Sequence, residues 1–133
     1  MIFRAELEAF VHPTESVEKV EQALSLFCDV EIERIPAKNH WHSKMWILRS
    51  SPDLSAINLS SLFSGWPPEQ LETWLDTHLD EDGTLHIRLD KQAAFSGSLK
   101  LSDSSDCIKL ELHTKHYPKD LEKSREELLQ FLS

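Results

Sequence analysis

The side chains that could do chemistry lie in two stretches, and both place cations beside aromatic or imidazole rings. Residues 84–117 contain five Lys or Arg and four Asp or Glu, a net charge of +1. The whole chain of 133 residues, by contrast, has a net charge of −9. Basic side chains in a row can bind the phosphates of a nucleic acid. Alternation puts the following polar side chains on the face opposite the leucines: His86, Arg88, Lys100, Lys109, Glu111, His113 and Lys115.

The same residues also fit a second interpretation. A sheet face exposed to water often carries Lys and Glu opposite one another on neighbouring strands, where they form pairs and bind no ligand. The acidic balance of the chain favours this interpretation, because net negative charge repels phosphate. The pattern alone leaves both interpretations open.

The second stretch, residues 34–49, holds four basic residues, two Trp, two His and no acid. Aromatic rings among cations are typical of proteins that bind single-stranded nucleic acid, because every base offers a stacking face. The alternative is a hairpin with Trp46 in the core and Trp41 covering an edge. His40 and His42 alternate and could project to one side, but structural zinc normally requires four ligands, so they are a weak indication of a metal site.

No catalytic centre is recognisable in the sequence. It lacks the glycine-rich phosphate loop, the HExxH zinc helix and the GxSxG nucleophile turn. The acidic turn at residues 80–82 is typical of a solvated loop. Cys28 and Cys107 fit no metal spacing and are predicted to be buried thiols. We therefore predict a binding protein and not an enzyme, with no catalytic residue, metal or cofactor.

Hydrophobic periodicity predicts the elements that position these side chains. Strands are predicted at 2–11, around Val30 and Ile32 and ended by Pro36, at 44–50, at Leu85–Leu89, at Leu99–Leu101 and at Ile108–Leu112. Helices are predicted at 14–27 with Thr14 as N-cap, at 68–79, and after Pro118 with Leu121, Leu128, Leu129 and Leu132 inward, with a further short helix within 50–64.

These elements predict one α+β domain over residues 1–133, with two layers in which helices cover one face of a mostly antiparallel sheet. No run of 18 apolar residues is present, so no membrane segment is expected. Acidic residues interrupt the apolar ones near the N-terminus, where a signal peptide would be apolar. A cytoplasmic protein is therefore expected.

Two blocks of sequence resemble a known family. The first is Phe10-Val-His-Pro-Thr-Glu-Ser-Val-Glu-Lys-Val20, and the second is Leu85–Leu101, which contains the string RLDKQAAF followed by a glycine and alternating leucines. Asp106 and the strand 107–115 follow. Together they resemble the archaeal RNA-binding family, a predicted exosome subunit. The resemblance implies a fold like that of the fifth large-subunit ribosomal protein and a role beside RNA processing.

RNA is accordingly the leading candidate ligand. Arg88, Lys91, Lys100 and Lys115 are predicted to contact phosphates, Gln92 to donate or accept hydrogen bonds, and Phe95 to stack. Asp90 and His113 complete the predicted RNA-binding set. Asp90, Lys91 and Gln92 lie at a bend of the chain, and the alternative is that they only satisfy backbone groups of that loop.

A second hypothesis is a protein-interaction module that docks to the exosome or another RNA-processing complex, or forms a homodimer, without touching RNA. The acidic balance supports it, because acidic helix faces can meet a basic partner. The helix residues proposed for this role are Glu15, Glu18, Glu21, Glu122, Glu126 and Glu127.

Overall fold

Antiparallel pairing of five strands organises the protein, in the order β2-β3-β1-β5-β4. We analysed a computed structural model, which describes residues 1–28, 31–38, 41–116 and 120–133. The elements along the chain are β1 (Ile2–Val11), α1 (Val17–Leu24), β2 (Glu33–Lys38), β3 (Lys44–Ser50), a short 3-10 turn (Leu54–Ala56), α2 (Pro68–His78), β4 (Thr84–Leu89), α3 (Lys91–Phe95), β5 (Ile108–Thr114) and α4 (Leu121–Leu132).

The two faces of the sheet differ because side chains alternate along each strand. On the covered face, Leu7, Leu48, Ile87 and Leu110 are buried and join one hydrophobic cluster with residues of α1, α2 and α4. The other face carries polar or partly exposed side chains, and we call it the open face. Its members on the three strands β1, β5 and β4 are Arg4, Glu6, Glu8, Phe10, Lys109, Glu111, His113, Thr84, His86 and Arg88. The predicted α+β class is confirmed.

The helices begin where side chains satisfy their first N–H groups. The Ser16 hydroxyl accepts from the N–H of Lys19, so α1 begins at Val17 and not at the predicted Thr14. Asp120 caps α4 in the same way, and α2 begins directly at Pro68. Leu128 and Leu132 are buried as predicted, but Leu121 is exposed because it lies in the first turn of α4.

Two predicted strands differ from the structure. The strand predicted at Leu99–Leu101 does not form, since Leu101 makes only an isolated bridge to Leu89. The short helix α3 precedes it instead, capped by Asp90, whose Oδ1 accepts from the N–H of Gln92. Strand β2 continues through Pro36 to Lys38 because it lies at the edge of the sheet, where a missing N–H is tolerated. Val30 and Pro118 lie outside the described residues.

No helix in the described ranges is long and apolar enough to cross a bilayer. Both cysteines are buried thiols. Of the predicted short helix within 50–64, the structure retains only the 3-10 turn.

The turn before β4 is held against β5 and α4 through Gly83. Its backbone has φ of +82°, and a Cβ atom there would lie 2.7 Å from Thr114 Oγ1. The Thr114 hydroxyl donates to the Gly83 carbonyl over 2.6 Å, and Ser124 Oγ lies 2.7 Å from the same hydroxyl. Only glycine therefore fits both the backbone conformation and the space.

We expect Gly83→Ala to destabilise the protein more than Gly65→Ala. Both glycines have positive φ, but nothing lies within 4 Å of a Cβ placed at Gly65. Both substitutions should lower the free energy of unfolding by about 1–2 kcal/mol because of backbone strain. Gly83→Ala should lower it by about 1–3 kcal/mol more because of overpacking. Urea unfolding measures both, and equal losses would contradict the proposed contact with Thr114.

Candidate nucleic-acid interface

Two cations lie side by side on the open face. Arg88 of β4 and Lys109 of β5 are directly opposite each other in the antiparallel register. The Lys109 Nζ lies 5.6 Å from the centre of the Phe10 ring on β1. Arg88 is exposed, whereas Phe10 and Lys109 are partly buried. We call Phe10, Arg88 and Lys109 the sheet patch.

The charges of the sheet patch are not neutralised by ion pairs within the described residues. Neither Arg88 nor Lys109 lies within 4 Å of a carboxylate there. Glu8 stands opposite Lys109 in the register, but its Oε2 accepts from Arg49 Nε over 3.0 Å. Like charges directly opposite one another destabilise a sheet, so an anion bound between them would relieve that repulsion.

The rest of the open face is acidic and rich in histidine. Glu6 pairs with Arg4, while His86 lies 2.8 Å from Asp80 and 3.5 Å from Glu111. The open face as a whole therefore carries charges of both signs and is not basic. In this acidic half, the charged side chains pair with one another, as the second interpretation of the sequence expected. Burial favours the neutral form of Asp80, but hydrogen bonds from His86 and from the Thr84 and Asp82 backbone outweigh it, so the pKa of Asp80 is lowered.

A second cationic and aromatic group lies at the β2–β3 hairpin. Lys38 and Lys44 are opposite each other at the end of the paired strands. Trp41, between them in sequence, is 75% exposed. We call Lys38, Trp41 and Lys44 the hairpin tip. Trp46 is also exposed and not in the core as the alternative required, and His40 lies outside the described residues.

Lys91, predicted to contact phosphate, is turned inward. Its side chain is 3% exposed, and Nζ donates to Glu15 Oε1 over 3.0 Å and to Asp106 Oδ1 over 2.9 Å. In the free protein its charge is thus already matched, and a phosphate would have to displace two carboxylates. Lys91 joins α3 to the turn after β1 and to the loop before β5.

His12 extends this group. Its Nε2 lies 3.0 Å from Asp106 Oδ1, and its backbone N–H donates to Glu15 Oε1 over 2.9 Å. Burial alone would raise the pKa of Asp106, but the hydrogen bonds and charges of Lys91 and His12 outweigh burial, so the pKa is lowered. We call His12, Glu15, Lys91 and Asp106 the Lys91 network.

The remaining predicted contacts do not form one surface. Asp90 caps α3, which packs against α1, so Gln92 and Phe95 are exposed on the helical side. The carbonyl of Lys100 accepts from the Asp90 N–H. His113 and Lys115 are four and six residues beyond Lys109, or about 13 and 20 Å along the strand direction. The RNA contacts of these residues stay a prediction.

Phe10 is a candidate that the sequence analysis did not select. It follows Glu6 and Glu8 at a spacing of two, so it shares the open face with them. The alternation of β1 alone could have indicated this candidate, because it places a large aromatic residue on a face that otherwise carries charged side chains.

Comparison with known proteins assigns the chain to a family. A family model described as RNA binding matches residues 4–114. The chain belongs to this RNA-binding family. Within the family, a Pyrococcus abyssi relative named as an RNA-binding protein is 31% identical over an alignment of 125 residues, and the match covers 84% of this chain and 81% of the relative.

Solved structures agree with the fold. A Methanothermobacter thermautotrophicus protein has a TM-score of 0.81 at 28% identity and is matched over 100% of this chain and 99% of its own. An Archaeoglobus fulgidus protein has a TM-score of 0.77 at 32% identity, over 98% and 99% of the two chains. Both sequence blocks that resemble the family lie within the matched range, and Lys91 with Glu15 joins them in space.

We expect Lys91→Met to lower the free energy of unfolding by about 3 kcal/mol, because removing one partner leaves two carboxylates facing each other. Lys100→Met is the matched control, since Lys100 is exposed and forms no ion pair within the described residues. It should change stability by less than about 0.5 kcal/mol. Equal effects in denaturant unfolding would show that the network contributes nothing.

Asp106 should also make the stability of the fold depend on pH in the acidic range. Because its folded pKa lies below the usual 3.8, its contribution is complete above that value and is lost as the pH falls through the folded pKa. Asp106→Asn should flatten the plot of stability against pH in this range. The control is Asp103→Asn, which changes an exposed acid of the same loop. Thermal unfolding between pH 2 and 6 measures this, and parallel curves for Asp106→Asn and the unmodified protein would contradict it.

Proposed function

We propose that this protein binds RNA directly and without catalysis, through the sheet patch and the hairpin tip. The observation that carries the proposal is the pair Arg88 and Lys109, which stand in register with no carboxylate partner among the described residues and with Phe10 beside them. The family and its Pyrococcus abyssi relative named as an RNA-binding protein support RNA as the polyanion.

Phe10 and the two cations have complementary roles in this proposal. A base stacked on the Phe10 ring gains from contact with an aromatic face whatever its identity. Lys109 is close enough to Phe10 for the phosphate of the same nucleotide to reach it, and Arg88 can hold that phosphate with two donors. The open sheet would thus bind a single strand in an extended form.

The lysines of the hairpin tip lie beyond the sheet patch along β3 but on the other face of the sheet. Phe10 is opposite Ile47 on β3, and Lys44 is three residues further along that strand, or about 10 Å away, so its side chain projects to the face of Leu48. An RNA strand that used both sites would therefore pass around the end of the sheet. Lys38 and Lys44 again place two like charges opposite each other, which a phosphate would neutralise. Trp41 offers a second exposed ring for a base.

The acidic chain limits the strength of binding. Four cations, Arg88, Lys109, Lys38 and Lys44, would neutralise up to four phosphates. For single strands the slope of log affinity against log salt is about −0.7 per phosphate. Raising the salt from about 50 to 200 mM should therefore weaken binding about 50-fold.

We expect Arg88→Gln and Lys109→Gln each to weaken binding of a single-stranded RNA oligonucleotide and to reduce the salt slope by about 0.7. Lys123→Gln on α4 removes the same charge from an exposed residue on the helical side and should leave affinity and slope nearly unchanged. Fluorescence anisotropy at two salt concentrations measures both quantities. Equal losses in all three variants would refute the sheet patch as the site, and so would no affinity at about 50 mM salt.

Association with the exosome or another RNA-processing complex stays a prediction from the family resemblance, and a homodimer stays a prediction from the acidic balance of the chain. Three of the acidic residues proposed for docking already form ion pairs: Glu15 with Lys91, Glu21 with Arg34, and Glu127 with the amino terminus. This use within the chain favours direct RNA contact over acidic docking. Light scattering together with RNA binding separates the two, since a stable dimer without RNA affinity would support the interaction module.

A further inference from the structure

Three ligand atoms converge in the acidic half of the open face. Glu6 on β1 and Glu111 and His113 on β5 each place one oxygen or nitrogen within 4.8 Å of the others. The His113 Nε2 lies 3.4 Å from Glu6 Oε2 and 3.3 Å from Glu111 Oε2. These three residues form what we call the His113 cluster.

The spacing of the donors fits a metal ion. With zinc bonds of about 2.0–2.2 Å to nitrogen and oxygen, two ligands of a tetrahedral site stand about 3.3–3.5 Å apart. Both distances from His113 Nε2 fall in this range.

His113 Nε2 is buried and has no hydrogen-bond partner. The other ring nitrogen, Nδ1, lies 3.0 Å from the Thr84 hydroxyl oxygen. When Nδ1–H donates to Thr84, the lone pair of Nε2 faces the two carboxylate oxygens. A buried acceptor directed at two anions is unfavourable unless a cation lies between them.

The outer groups orient the two carboxylates. Glu6 uses its other oxygen, Oε1, for Arg4, and Glu111 uses its Oε1 for His86 Nδ1. His86 is in turn held by Asp80 at 2.8 Å. Each Oε2 therefore points inward to the cluster. The Thr84 hydroxyl has the same role for His113. In metal sites, hydrogen-bonded groups outside the ligand set hold the ligands in orientation in this way.

The protein offers a comparison within its own chain. His12, Glu15 and Asp106 also bring their donor atoms within 4.8 Å of one another. There, the Lys91 ammonium already bonds both carboxylates, at 3.0 and 2.9 Å. No lysine or arginine occupies the corresponding place in the His113 cluster among the described residues. The carboxylates of the Lys91 network are thus neutralised by a lysine of the chain, whereas those of the His113 cluster have no such shared cation.

We propose that Glu6, Glu111 and His113 bind one divalent transition-metal ion, with Zn²⁺ as the best match. Imidazole as a ligand favours Zn²⁺ over Mg²⁺ or Ca²⁺, which prefer all-oxygen sites. The two carboxylates are partly exposed, which leaves a fourth position for water. None of its ligands belongs to the sheet patch or the hairpin tip, so the metal site does not rest on the RNA contacts proposed there.

The test is a titration of the chelator-treated full chain with Co²⁺ and with Zn²⁺. One equivalent of Co²⁺ should produce the visible absorption of a tetrahedral centre, and one equivalent of Zn²⁺ should abolish it. Glu111→Gln and His113→Gln should each weaken binding about 100-fold or more, because loss of an outer partner alone costs about 10–100-fold. Thr84→Val should fall within that smaller range.

Two control variants locate the ion. Glu8→Gln changes an acid on the same strand and face as Glu6 but outside the cluster, and His12→Gln removes the histidine of the Lys91 network. Both should bind Co²⁺ as the unmodified chain does, and circular dichroism should show every variant folded. Binding that survives His113→Gln, or that His12→Gln abolishes, would overturn the proposal, as would a spectrum without tetrahedral bands.

Discussion

The ion pairs of Lys91 hold together three segments that are far apart in the sequence. Its ammonium bonds Glu15, 76 residues away, and Asp106, 15 residues away. A buried cation is expensive to desolvate and is tolerated only with well-placed partners. A helix of five residues such as α3 would not persist on its own. The position of α3, and with it the path from β4 to β5, therefore depends on this charge.

The strands were predictable because one sheet face is covered and the other is open, which makes side chains alternate. β1, β3, β4 and β5 were found for this reason. α3 was not, since five residues carry too little periodicity and the carboxylates that hold Lys91 lie in other segments. Leu99 and Leu101 have strand spacing, but a strand also requires a partner, and only Leu101 finds one.

The sequence was enough to predict the chemistry of the candidate site, but not which residues form it. The sequence indicates which strand carries Arg88 and Lys109, because spacing alone assigns the open face. It cannot show that Glu8 pairs with Arg49 and leaves Lys109 unmatched, since that choice depends on side chains from three strands. It likewise cannot show that Lys91 points inward. Pairing between distant segments decides which charges remain available to a ligand.

Pro36 in the edge strand β2 limits how copies of this protein can associate. An unpaired edge normally invites a strand from another molecule, but proline offers no N–H to such a neighbour. Glu33, Arg34 and Lys38 on the same strand are charged and exposed, and each would have to lose water on close approach. Strand addition at this end is therefore disfavoured, and self-assembly into continuous fibrils by this route is suppressed.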